Sequence, residues 1–352
     1  MHLIRLMPSR RRSGRERGFT LIELMIAVGL SLMILAGLVT VFVNNSNTRK
    51  EIERTTRQIE NGRYGIELLS NNLTHAGFYA EFDPTLVPAP GTMVEACSTV
   101  AADIQAGLGL PIQGYRSATT STAGLSCLTD LKDNTDVVVV RRASTCIAGS
   151  TGCDALTSGS FYYFQASLCN PTEGNEELAS GTVTDWYRLD STTANLDRHR
   201  RTCLVSGCLC SSAPEADIRR YYTHIFFVAN NSVGTDGVPT LKRAELTASG
   251  FTIVPLVEGI ENLKLEYGID TNGDGMPETY TPTPATVADW RNVTAAKVFV
   301  LARNTEPSPG YTDSKTYTLG SAPAVGPFGN GYRRHVFNTT VKLANVAGRR
   351  GI

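Results

Sequence analysis

Two stretches of this sequence place carboxylates where their chemistry stands out. Asp270-Thr271-Asn272-Gly273-Asp274-Gly275-Met276-Pro277-Glu278 sets oxygen donors at positions one, three, five and nine of a loop, with Gly275 at position six to allow a sharp turn. Flexible, anionic, oxygen-rich ligand sets suit calcium. Asp270, Asn272, Asp274, the Met276 carbonyl and Glu278 are therefore candidate ligands. Position twelve, where an EF-hand needs a bidentate glutamate, is Thr281, so a shorter loop is the form such a site takes. The plainer alternative is a Gly-Asp turn joining two strands, since turns prefer the same residues. The second carboxylate is Glu23, at the head of the apolar run Leu24 to Val43, which only Ser31 and Thr40 interrupt mildly. About 20 apolar residues span a bilayer. An acidic side chain in such a run costs roughly 2.5 to 3.5 kcal/mol on insertion scales, which marks it as functional and calls for a partner.

A new N-terminal amine supplies that partner. If the chain is cut between Gly18 and Phe19, Glu23 becomes the fifth residue, about one helical turn from a fresh cation. In a bundle of such helices the amine of one chain and the carboxylate of a neighbour neutralise each other inside an apolar medium. The segment before Gly18 carries Arg5, Arg10, Arg11, Arg12, Arg15 and Arg17, which holds it in the cytoplasm by the positive-inside rule, with everything after Val43 outside. A secretory signal would place its cleavage site after the apolar core, whereas this glycine precedes it.

Gly18 followed by Phe19-Thr20-Leu21-Ile22-Glu23 and a hydrophobic helix resembles the type IV pilin and pseudopilin class. The resemblance implies cleavage after Gly18 and N-methylation of Phe19 by a prepilin peptidase, then passage from the inner membrane into a helical filament. Gly62-Arg63-Tyr64, Val257-Glu258-Gly259-Ile260-Glu261-Asn262-Leu263 and Arg333-Arg334-His335-Val336-Phe337 before Thr339-Thr340-Val341 narrow it to the PilW family of large minor pilins. That implies a role in starting or capping the pilus beside other minor pilins and the major pilin. The GspJ-like pseudopilins of type II secretion share the plan and are the alternative, and a membrane-anchored periplasmic enzyme or binding protein is the remote one. Residues 80–215 carry no resemblance.

Eight cysteines, Cys97, Cys127, Cys146, Cys153, Cys169, Cys203, Cys208 and Cys210, all follow the apolar segment. An exported chain with an even count reads as disulfide-bonded. Eight cysteines allow 105 pairings, so the sequence leaves the set open. Cys146 with Cys153 is the local bridge it favours, across the flexible Ala148 to Gly152. Zinc on Cys203, Cys208 and Cys210 is the competing reading, without a C-x-x-C knuckle to support it. No nucleophile, metalloprotease or phosphate-loop motif is present and the five histidines are scattered, so the sequence reads as a non-enzyme with no required cofactor. His75 reads as a cation at a helix end, and His224 as a strand residue on a polar face. Phe161-Tyr162-Tyr163-Phe164 reads as core packing rather than a ligand platform.

The elements that position these residues follow from periodicity. No proline lies between Pro8 and Pro84, and Ile52, Ile59, Ile66, Leu69 and Leu73 make an apolar stripe, so one helix is expected from Phe19 to about Ala76, stopped by Gly77. Residues 80–131 read as loops with short strands at most. Strands are expected over 136–142, 160–167, 183–189, 221–229, 240–246, 251–257, 263–269, 294–302 and 334–343. The expected fold is α+β: a leader (1–18), a membrane or filament-core half-helix (19–43), an amphipathic half (44–77) and a mainly antiparallel β-rich head (78–352) with a disulfide-rich insert. Lysine plus arginine equals aspartate plus glutamate at 33 each, and six of those basic residues precede Phe19. The remainder is mildly acidic, which gives no ground for nucleic-acid binding.

Overall fold

In the computed structural model, which describes residues 18–169, 177, 182–200 and 213–350, the uninterrupted residues form one helix, α1 (Leu21–Thr74). Its 54 residues span about 81 Å at 1.5 Å each. Gly77 adopts φ +72°, the left-handed conformation that ends the run. The chain divides into two compact units within this helix, between Glu53 and Arg54.

In the first unit the apolar side chains from Leu21 to Val43 are exposed, and this is the one described helix long and apolar enough to cross a membrane. Ser31 and Thr40 return their hydroxyls to the carbonyls of Ala27 and Ala36, at 2.7 and 2.9 Å, so neither leaves an unmet donor in an apolar surrounding.

The second unit holds two antiparallel sheets. The larger runs β1 (Ile112–Ala118), β2 (Thr135–Ala143), β5 (Ile218–Ala229), β3 (Tyr163–Ala166) and β4 (Tyr187–Asp190), with β6 (Thr240–Thr247) on the other half of β5 and β7 (Gly250–Glu258) on β6. The smaller runs β11 (Arg334–Lys342), β10 (Val293–Arg303), β8 (Ile260–Ile269) and β9 (Thr279–Thr281). Gly259, at φ +77°, is the single residue between β7 and β8, where the chain passes from one sheet to the other. A Cβ there would sit 2.6 Å from the Arg303 carbonyl oxygen, so only glycine fits this close approach. Short helices α2 (Ala101–Ala106), α3 (Val287–Arg291) and α4 (Ala344–Gly348) complete the unit.

The main core lies between α1 and the two sheets, joining Leu69 and Leu73 to Val138, Val140, Phe226 and Val228 of one sheet and Leu263, Leu265, Val298 and Val300 of the other. An aromatic cluster of Tyr79, Phe82, Phe164, Tyr187 and Tyr221 fills the β3–β4 end. This places Tyr163 and Phe164 in packing, as their pattern suggests.

The expected isoleucine stripe requires correction. Ile52 and Ile59 are 61% and 38% exposed. The buried face is Gln58, Gly62, Gly65, Leu69 and Leu73, because the helix approaches the smaller sheet too closely for large side chains in that turn. A Cβ on Gly62 would fall 2.1 Å from the Phe337 ring. His224 also differs from expectation: it is 3% exposed, beside α1, and not on a solvated face. The 80–131 segment contains α2 and the strand β1, in which Ile112 is the one β-branched residue and which is held by its pairing with Val137 to Val140.

Disulfides join Cys97 to Cys127 and Cys146 to Cys153, with Cα separations of 5.5 and 5.8 Å. Cys169 is also disulfide-bonded. Cys203, Cys208 and Cys210, and with them the zinc reading, lie outside the described residues, as does the leader up to Arg17.

Candidate functional site

Thr20 and Glu23 form a reciprocal cap at the start of α1. Glu23 Oε2 accepts from the Thr20 amide at 3.0 Å and from its hydroxyl at 2.9 Å, while Thr20 Oγ1 accepts a long 3.4 Å bond from the Glu23 amide. This is the capping-box geometry, which satisfies amides that the first helical turn leaves without intrahelical partners. The Thr-x-x-Glu spacing was its sequence signal. The cap uses one carboxylate oxygen. Oε1 makes no hydrogen bond among the described residues, so the group can fix the helix start and still present an oxygen to a cation. Gly18 and Phe19 precede the helix, and Phe19 is 86% exposed.

The 270–278 segment folds as a tight loop between β8 and β9. Asp270 is fully buried; its Oδ1 accepts from Gly273 N at 2.6 Å and its Oδ2 from Gly275 N at 2.9 Å. Both glycines hold positive φ, at 86° and 83°, which a side chain would oppose. Glu278 Oε2 accepts from the Thr271 amide and hydroxyl at 2.7 and 3.0 Å, and Asp274 Oδ1 accepts from Met276 N at 2.7 Å. One oxygen from each of Asp270, Asp274 and Glu278 lies within 4.8 Å of the others. Asn272 donates to Asp274 at 3.1 Å, and Met276 is exposed. Burial pushes the Asp270 carboxyl up, but the two glycine amides and Arg350, 3.7 Å away, outweigh it and hold it below the ordinary carboxylate range. Carboxylate oxygens offer several acceptor sites each, so these bonds leave room for a cation. Thr281 pairs with Tyr267 in β9, in keeping with the loss of an EF-hand twelfth position.

Three polar joints that the sequence does not mark hold the head together. At the helix, buried Gln58 donates to the carbonyls of Ala302 and Arg333 at 2.9 and 3.0 Å, and Asn61 donates to Glu258 O at 3.1 Å. Between the sheets, buried Asp136 of β2 accepts from Lys264 Nζ at 2.9 Å and from the Leu265 amide at 3.0 Å, both on β8, and from Arg116 at 3.1 Å. Beside the long 304–333 connection, the fully buried Arg334 side chain pairs with Glu261 at 2.5 Å and Asp313 at 2.8 Å. Burial pushes the Asp313 carboxyl up, yet the hydrogen bonds from Arg334 and Tyr317 prevail and lower it. The C-terminal segment closes the end of α1: Asn345 donates to the Thr74 and Ala76 carbonyls at 3.4 and 3.3 Å, and Arg349 to Gly77 O at 2.9 Å.

Comparison with known proteins agrees with this division. Residues 225–345 match the family described as Type IV Pilus-assembly protein W, which takes in β6 to β11 and the end of β5. Residues 13–39 match the prokaryotic N-terminal methylation motif, which contains Gly18, Phe19 and Glu23. No curated protein matches the chain. Among solved structures it is similar to a type IV-like pilin from Thermus thermophilus, with 12% identity over 54% of this chain and 87% of that one and a TM-score of 0.22. The chain thus joins a methylation motif on a long apolar helix to a head whose residues 225–345 are similar to the family of Type IV Pilus-assembly protein W.

Proposed function

We propose that the chain is cut after Gly18, methylated at Phe19, and built into the initiating or tip complex of a type IV pilus, where it acts by packing rather than catalysis. The observation that carries this reading is Glu23: a carboxylate in the first turn of an exposed apolar helix, with one oxygen capping Thr20 and the other free to meet a cation. In the filament that cation is the N-terminal amine of a neighbouring subunit, and the pairing removes two charges from an apolar bundle together. Before assembly the helix holds the protein in the inner membrane, leader in the cytoplasm and head in the periplasm. Prepilin peptidase, the other minor pilins and the major pilin are its partners.

The test compares Glu23→Gln with wild type in sheared surface pili and in cleavage by prepilin peptidase. Processing should remain and piliation fall by tenfold or more; normal piliation would refute the pairing. A deletion scored for pili and for type II secretion separates the pilus from the pseudopilin alternative. Lost pili with intact secretion supports the former.

We also propose that the 270–278 loop takes up calcium, through Asp270, Asp274 and Glu278 with Asn272 and the Met276 carbonyl. The support is the convergence of three carboxylates within 4.8 Å. Arg350 is the competing cation at Asp270.

A further inference from the structure

One face of the larger sheet carries more positive charge than its own carboxylates balance. Along β5, Arg220, Tyr222 and His224 point to the same side, and the cross-strand partners Arg142↔Tyr222 and His224↔Glu245 place Arg142 of β2 and Glu245 of β6 beside them. Arg243, two residues before Glu245, lies on this face as well. Glu245 is already shared: Arg243 Nη2 reaches its Oε2 at 2.9 Å, and Arg220 holds its Oε1 while also pairing with Asp154 at 3.0 Å. Arg220 stacks on the Phe161 ring, 3.5 Å from its centroid.

Arg142 has no such compensation. It stacks 4.7 Å over the Tyr222 ring, and its hydrogen bond is a 3.3 Å contact to the Ala143 carbonyl. Among the described residues no carboxylate lies within ion-pair distance of it. Burial lowers its pKa, the signature of a guanidinium drawn out of water. The Nε atoms of Arg142, Arg220 and Arg243 are all buried with no hydrogen-bond partner, and Nε2 of His224, whose side chain is 3% exposed, faces the Glu245 carboxylate at 3.8 Å. Asn72 of α1 accepts from the other ring nitrogen of His224 at 3.2 Å, which ties the imidazole to the helix. A half-buried cation without a counter-ion is unfavourable in isolation. A planar guanidinium fork beside a second guanidinium is also the arrangement that receives carboxylate or phosphate in bidentate fashion.

We infer that Arg142, with Arg243 on the same face, is a binding site for an oxyanion, a carboxylate or phosphate group, which completes the charge balance of this face. Arg142 supplies the fork, held flat on the Tyr222 ring, and Arg243 the second positive charge. The site lies on β2, β5 and β6 and shares no residue with the 270–278 loop.

The experiment is a thermal melt of the full chain in detergent micelles, titrated with sodium phosphate and, separately, sodium acetate, at ionic strength fixed with sodium chloride. The wild type should melt about 3 °C higher at tenfold the anion's Kd. Arg142→Met should lose that rise while melting no lower than wild type without anion, because it removes a charge that had no partner. Should that variant fail to fold, Arg142→Lys keeps the charge without the fork and should bind at least tenfold more weakly. A response to phosphate alone assigns a tetrahedral ligand, and a response to acetate a planar one. No shift with either anion, or an equal shift in the Arg142 variants, overturns the inference.

Discussion

Replacing Asp136 by alanine tests how the two sheets are held together. The Asp136 side chain is 3% exposed and that of Lys264 7%, and the carboxylate also receives the Leu265 amide and Arg116. The substitution therefore strands a buried ammonium ion and removes the acceptor of a buried amide. Breaking one partner of a buried pair costs about 3 to 5 kcal/mol, since the remaining charge stays desolvated. For a unit of this size each kcal/mol moves the melting point by about 2 to 4 °C, so a fall of about 10 °C is expected. The assay is thermal and urea denaturation of the full chain in detergent, with Lys264→Met and the double variant alongside. The double variant should recover part of the loss, because the uncompensated ammonium is gone. A loss below about 1 kcal/mol in Asp136→Ala, or a double variant as unstable as the sum of the singles, would refute the staple.

Two further outcomes follow from the site geometry. Burial drops the His224 pKa to about 4, against 6.5 in the unfolded chain, so the unfolded state takes up its proton first; stability is whole above pH 6.5 and declines by about 3 kcal/mol as pH falls toward 4. His224→Asn should flatten urea-denaturation stability between pH 7 and pH 4.5, and an unchanged pH slope in that variant would count against the buried neutral imidazole. For calcium, the melting temperature should rise by about 5 to 10 °C at a hundredfold the Kd, and Asp274→Ala should abolish the rise. Identical melting of the wild type in calcium and in chelator removes calcium from the loop.

Local rules made much of the chain legible. The apolar run after Glu23, the absence of proline and Gly77 defined α1 to within two residues at each end, because a helix records itself in consecutive residues. Most strands were readable for the same reason: β-branched and aromatic runs bounded by turn residues. The Cys146–Cys153 bridge was readable because its ends lie only seven positions apart. The oxygen spacing of 270–278 also survived folding, since that loop is closed by its own backbone amides.

What tertiary structure alone decided are contacts between residues far apart in the chain. Gln58 looks like a surface residue until the Ala302 and Arg333 carbonyls arrive 244 and 275 positions later. Gly62 carries no local demand for glycine, and only the Phe337 ring from β11 excludes a side chain there. Ile52 and Ile59 keep helical periodicity yet stay exposed, because periodicity states that residues share a face and not that a partner covers it. β1 has weak strand propensity and exists through its pairing with β2. Asp136 with Lys264, Arg334 with Asp313, and the arginine face around His224 combine charges from separate segments of the chain. Sequence determined which segments are helix, strand and membrane anchor, since those depend on neighbours along the chain. The fold determined which charges are buried together and which lack a partner, since electrostatic energy depends on distance and burial that no spacing in the sequence records.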